Sequence, residues 1–137
     1  MNINFGSRKE VLVHIEKYMI EMMPTYLKPI DTNWQPSDFF PDSTKESFYQ
    51  DIKSLRENAK DLSYDLVAVL IGDTITEEAL PTYESWLMMM DDISRDEDGG
   101  WVKWNRAWTG EENRHGDLLN KYLYLSGRVD MRQMEIS

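Results

Sequence analysis

The chain contains no cysteine. Disulfides, thiolate metal sites and cysteine nucleophiles are therefore excluded, and any metal must be held by carboxylate and imidazole. Histidine is scarce as well: His14 and His115 are the only two. Positive charge is in deficit, since 15 Lys and Arg face 25 Asp and Glu for a formal net charge of −10. Nucleic-acid binding needs a basic footprint to neutralise phosphates, and this balance argues against it. No apolar run approaches the roughly 18 residues of a membrane-crossing helix, so no membrane span is expected. Residues 1–7 are too short and too poor in Arg and Ser for a transit peptide. Proline is largely confined to one place, with four of five between Pro24 and Pro41. Internal repeats and low-complexity tracts are absent. A length of 137 residues suits one domain with a modest core.

What is present reads as helices. Ser7, Arg8, Lys9 and Glu10 form a capping-box signature, followed by Leu12, Ile15, Met19 and Met22 at helical spacing; Pro24 is expected to end that helix. The Pro-rich stretch to Pro41 carries Trp34, Phe39 and Phe40, so it is expected to pack against the helices. A second box, Ser43 to Glu46, precedes Phe48, Ile52, Leu55 and Ala59 on one face. Ser63 is placed as the cap of a third helix over residues 64–91. Its run Leu66–Ile71 also fits a buried strand, but the pattern continuing through Leu80 and Leu87 favours helix. Pro81 cannot donate to the carbonyl of Glu77, which predicts a kink there. Residues 91–100 read as an acidic loop, and a fourth helix runs from Trp101 to Ser126 with Gly127 as its stop. Asp130 opens a fifth. Residues 1–62 and 63–137 are the two parts of one domain, the second bearing the chemistry.

That chemistry centres on Glu112 and His115. Trp101, Trp104, Trp108, Glu112, His115, Leu119 and Tyr122 fall within an arc of about 80° on one helix face. Five of the seven are large and apolar or aromatic, so the pattern predicts a core face. A carboxylate and an imidazole there cost several kcal/mol to desolvate unless paired or bound to a metal. On these residues alone, a buried ion pair with a neighbouring Arg or Lys competes with metal ligation. Glu77 is a second carboxylate in such a position, on a face with Leu66, Leu70, Asp73, Leu80 and Glu84. Di-iron carboxylate bundles use two helices with one Glu each and two with Glu-x-x-His, and this chain has one helix of each kind. Iron or manganese suits the donors, with zinc chemically possible. Glu78 and Glu111 rotate about 100° away from the ligand positions. Asp73 reads equally as a residue behind the ligands or a surface ion pair, and His14 as an ordinary surface histidine. Trp34 fits either a place near the metal on an electron route or simple packing. Gly110 and Gly116 fit either close helix approach or room beside a cluster.

Four blocks in order carry a resemblance: Leu27-Lys-Pro with Trp34-Gln-Pro-Ser-Asp-Phe-Phe-Pro-Asp42; Gly72-Asp-Thr-Ile-Thr-Glu-Glu-Ala-Leu-Pro-Thr-Tyr83; Trp104-Asn-Arg-Ala-Trp-Thr-Gly-Glu-Glu-Asn-Arg-His-Gly116; and Asp117-Leu-Leu-Asn-Lys-Tyr-Leu-Tyr-Leu-Ser-Gly-Arg-Val-Asp-Met131. They resemble the plant acyl-[acyl-carrier-protein] desaturases, of which the stearoyl Δ9 enzyme is the best known. The resemblance implies an all-α, ferritin-like helical bundle, dimeric, in the plastid stroma, with a carboxylate-bridged di-iron centre. Its activity uses O2 and electrons from ferredoxin to place a cis double bond in an acyl chain carried by acyl carrier protein. It puts metal-ligand roles on Glu77, Glu112 and His115, and acyl-channel roles on Tyr83, Trp86, Met89 and Met90. Close relatives carry slimmer groups at Trp86 and Met89, which implies a preference for acyl chains shorter than stearoyl. An acidic carrier protein needs a local basic patch, which the sequence does not locate.

Two departures accompany the match. The stretch between Glu77 and Glu112 is a few residues shorter than in close relatives, a change a loop absorbs. Family members also continue well past residue 137, where a second Glu and a second Glu-x-x-His stand. Two irons are expected per full-length subunit, with ligands for one in this chain. Three readings follow: a fragment or truncated form of a desaturase, which is favoured; a non-catalytic paralogue that binds a partner protein or one metal ion; or a homodimer in which two copies assemble a symmetric di-metal bundle.

Overall fold

The computed structural model describes residues 5–90, 93 and 96–136. Among them every regular element is helical: α1 (Phe5–Tyr26), α2 (Phe48–Ala59), α3 (Tyr64–Ala79), α4 (Pro81–Met88), α5 (Gly100–Ser126) and α6 (Met131–Ile136). Single 3₁₀ turns lie at Ile30–Thr32 and Pro36–Asp38. The strand alternative at Leu66–Ile71 is not realised, because these residues lie inside α3. The chain folds as two compact units, one of residues 1–33 and 80–112, the other of residues 34–79 and 113–137.

In the first unit α1 packs on the start of α5. The indole Nε1 of Trp101 donates to the carbonyl of Leu12 at 3.1 Å. The contact is closest at Gly100, where an added Cβ would sit 2.6 Å from the Glu16 carbonyl oxygen and 3.1 Å from Ile20 Cγ1. Only glycine admits that approach. On α5, Val102 is 4% exposed and Asn105 1% exposed, the latter donating Nδ2 to Met88 Sδ of α4 at 3.2 Å. Trp104 and Trp108 stack with centroids 5.4 Å apart and stay half-buried.

In the second unit α3 lies antiparallel to the end of α5. The guanidinium of Arg128 sits over the Tyr64 ring at 5.4 Å, and His115 lies beside Glu77. As α3 advances from 64 to 77, its partner recedes from 128 to 115. Pro36, Ala59, Val67, Thr74, Leu123 and Ser126 are among the buried side chains here. Gly127, at φ +67°, stops α5 in the left-handed conformation that glycine adopts without strain. The next residue, Arg128, donates Nη1 to the carbonyls of Ala59, Leu62 and Lys60 at 2.5, 2.9 and 3.1 Å, closing the end of α2. Arg56 Nε donates to the Leu125 carbonyl at 3.0 Å.

Several expected boundaries move. Helix α1 begins before Ser7 and runs past Pro24, which stands in its last turn. The ring forgoes one hydrogen bond of that turn, and the helix still closes with Leu27 N donating to Met23 O at 2.8 Å. The second capping box is not formed as expected. Residues 43–47 form turns; Ser47 stands at the start of α2 without a side-chain capping bond, and Asp42 fixes the preceding turn by accepting from Thr44 N and Oγ1 at 2.9 and 2.7 Å. Those two donors hold the Asp42 carboxyl below its ordinary value of 3.8, with the side-chain bond contributing most. The long helix over 64–91 is two helices divided at Leu80, with Pro81 at the first turn of α4, where a missing amide is tolerated. Ser63 caps α3 through its Oγ, 3.2 Å from Leu66 N. Asp130 caps α6 through Arg132 N at 3.0 Å. The end of the 64–91 helix and much of the 91–100 loop, residues 91, 92, 94 and 95, lie outside the described residues.

Candidate metal centre

Glu77 is carried on the inward face of α3, which runs through Val67, Leu70, Thr74 and Glu77. This face is one residue displaced from the expected one, for Leu66 and Asp73 are exposed. Thr74, fully buried, satisfies its hydroxyl by donating to the Leu70 carbonyl at 2.7 Å, so a polar residue fits this face without a tertiary partner. His115 faces Glu77 from α5. The two helices come together at Gly116, where a Cβ would stand 3.4 Å from Glu78 Cγ and 3.6 Å from the carbonyl carbon of Glu77. Asn120 Nδ2 then ties α5 to Glu78 Oε1 at 2.6 Å. Gly116 is thus a point of close helix approach, while Gly110 has nothing within 4 Å of where its Cβ would lie.

The imidazole Nδ1 lies 3.6 Å from Glu77 Oε2, with side-chain exposures of 44% for His115 and 24% for Glu77. That separation is longer than a hydrogen bond. It matches two ligands on one ion, which at about 2.0–2.2 Å each stand roughly 3–4 Å apart. Glu112 precedes His115 by one turn of the same unbroken helix. One ligand atom each from Glu77, Glu112 and His115 lie within 4.8 Å of one another. The donors are two carboxylates and an imidazole, which suit a divalent ion such as iron(II). The residues therefore fit one metal ion.

Around the imidazole, Trp34 stacks at 5.8 Å between centroids with planes 11° apart, and the Arg114 guanidinium lies over the same indole at 5.7 Å. The sequence left Trp34 and Gly116 each between two readings and did not single out Arg114 or Asn120. Residues adjacent to a ligand pair in sequence were the available signal. Glu78 turns outward to Asn120, and His14 is exposed with its ring edge-on to Tyr18 at 5.2 Å. Of the channel candidates, Tyr83, Trp86 and Met89 are exposed at 53%, 58% and 65%, whereas Met90 is half-buried with its sulfur 3.8 Å from Arg8 Nη2.

Comparison with known proteins joins this geometry to a family. The family model for "Fatty acid desaturase" matches residues 7–137. The chain is 56% identical over 130 residues to stearoyl-[acyl-carrier-protein] 9-desaturase 5, chloroplastic, of Arabidopsis thaliana, covering 92% of this chain and 33% of that protein. It is 54% identical over 132 residues to the acyl-[acyl-carrier-protein] desaturase, chloroplastic, of Cucumis sativus, covering 93% and 33%. With the Ricinus communis stearoyl-[acyl-carrier-protein] 9-desaturase, chloroplastic, identity is 52% over 130 residues, covering 92% and 33%. The chain thus spans about a third of the length of these relatives, and its helices are consistent with the ferritin-like fold of acyl-[acyl-carrier-protein] desaturases. On these matches the chain belongs to the fatty acid desaturase family.

Proposed function

We propose that this protein serves the desaturation of fatty acyl chains carried on acyl carrier protein, in plastids, with Glu77, Glu112 and His115 holding one iron of a di-iron centre. The observation that carries the reading is the convergence of their three ligand atoms within 4.8 Å. When bound, the iron pair supplies the redox chemistry by which O2, with two electrons from ferredoxin and two protons, takes two hydrogens from the acyl chain to leave a cis double bond and water. The chain's own residues prepare the position. Glu112 and His115, one turn apart, grip from α5, and Glu77 closes from α3. Two carboxylates this close repel each other in a half-buried site, and a divalent cation between them reverses that cost. Glu112 would help to hold the iron pair, whose other ligands would come from residues beyond this third of the family's length. Full-length relatives of this kind are expected to act as homodimers.

Tyr83, Trp86, Met89 and Met90, on and after α4, are proposed to line the acyl channel. A bulky indole at its closed end excludes methylenes, each worth about 0.8 kcal/mol of burial. The test is a chimera in which residues 7–137 replace the matching third of the Ricinus communis relative. It is expected to hold iron and desaturate acyl carrier protein substrates, favouring a 16-carbon over an 18-carbon chain. A folded chimera that binds iron yet leaves both substrates saturated would contradict the functional reading. Activity with an unchanged preference for the longer chain would contradict only the role of Trp86.

A further inference from the structure

A half-exposed imidazole on a helix has several staggered side-chain rotamers to choose from, and nothing in a Glu-x-x-His spacing alone points its ring at Glu77. Here the ring plane is matched by the Trp34 indole, 11° from parallel at 5.8 Å. Trp34 comes from no helix. It sits immediately before a local clamp in which Gln35 N donates to Asp38 Oδ2 at 2.7 Å and the two side chains form a reciprocal capping box around the turn Pro36–Asp38. Pro36 in that turn is buried. On the indole's own surroundings, Phe39 packs edge-on at 5.7 Å and the Arg114 guanidinium lies over the ring at 5.7 Å. The Pro-rich segment thus holds one aromatic plate in a fixed place, and the plate lies on the imidazole.

From this arrangement we propose that Trp34 is a positioning residue for His115, holding the imidazole so that its nitrogen faces Glu77, with Arg114 securing the indole by a cation–π contact. The inference rests on the reading of His115 as a metal ligand, which it deepens. Groups that orient a ligand from behind typically change metal affinity about 10–100-fold when removed. A flat ring of any aromatic kind should serve, since the contact is made by a face and not by the indole N–H.

The experiment uses the 137-residue chain with cobalt(II) as the probe, alongside proton NMR of the metal-free chain. With only two histidines, a His14→Gln variant assigns the His115 ring signals. The stacked indole is expected to shift them upfield in the wild type. Trp34→Leu should abolish the shift and weaken cobalt(II) binding about tenfold. Trp34→Phe should keep most of both, and Arg114→Met should fall between them. Unshifted His115 signals in the wild type would overturn the proposal, as would a Trp34→Leu chain that binds cobalt(II) as tightly as the wild type. If the wild type binds no cobalt(II), the ligand reading fails. In that case a ring shift and a nuclear Overhauser contact between His115 and Glu77, both lost in Trp34→Leu, would still support the orienting role; their persistence would overturn it.

Discussion

Glycines 100 and 110 lie ten residues apart in one helix and make opposite demands. A methyl group at Gly100 collides with the Glu16 backbone, so Gly100→Ala is expected to destabilise the chain by about 1–3 kcal/mol. At Gly110 the space is open, and Gly110→Ala should stabilise it by about 0.5–1 kcal/mol through the lower entropy of the unfolded chain. Thermal denaturation of the two variants measures both signs. Asp42 provides a pH handle at the same scale. Its carboxyl is depressed below 3.8 by Thr44, so its contribution to the turn is present above that value and is lost as pH falls through the lower folded value. Thr44→Val removes the larger of the two causes, and NMR titration should then find the Asp42 midpoint raised toward 3.8. An unmoved midpoint would mean that the backbone amide of Thr44 and the charge of Lys45 set it without the hydroxyl.

At the scale of elements, Arg128 carries more than its place in a loop suggests. It meets three carbonyls at the end of α2 with one guanidinium nitrogen, and its loss in Arg128→Ala is expected to cost about 2 kcal/mol in chemical denaturation. A change within experimental error would show that water replaces it. No sequence pattern announces such a residue, because its partners are backbone atoms 66 to 69 positions away. The helices themselves were largely legible. Ser63, Gly127 and Asp130 each mark an end by a local hydrogen bond or a left-handed turn, and local signals survive folding. The errors share a cause. Pro24 falls in a last turn, where a single helical hydrogen bond is forgone, and Pro81 in a first turn, where the amide has no intrahelical partner, so one expected stop was no stop and one expected kink was a new start. The buried faces were harder to place. On α5 the most protected residues are Gly100, Val102, Asn105, Gly116, Leu123 and Ser126, mostly small or polar groups, invisible to a search for bulky apolar residues. For the candidate site, spacing and the resemblance named three residues, whose ligand atoms lie within 4.8 Å of one another, while the surrounding Trp34, Arg114 and Asn120 depend on tertiary placement.

For the whole molecule, burial is sparse. Among the described residues the buried apolar side chains are Ala59, Val67, Ile93, Val102 and Leu123, whereas Val11, Ile15, Tyr18 and Met22 along one line of α1 are 39–55% exposed. Exposed apolar surface of that extent on a domain normally finds a partner. The isolated chain is therefore expected to self-associate or to remain loosely packed, seen as concentration-dependent sedimentation and a broad calorimetric transition. A dilute monomer with a sharp transition would contradict this.

The central claim is that Glu77, Glu112 and His115 hold one ion together, and iron stoichiometry after anaerobic loading with iron(II) tests it most directly. The wild-type chain is expected to retain about one iron, and Glu112→Gln and His115→Ala each to lose it while keeping the wild-type helical content. Equal iron in the wild type and both variants would place the metal elsewhere and contradict the account.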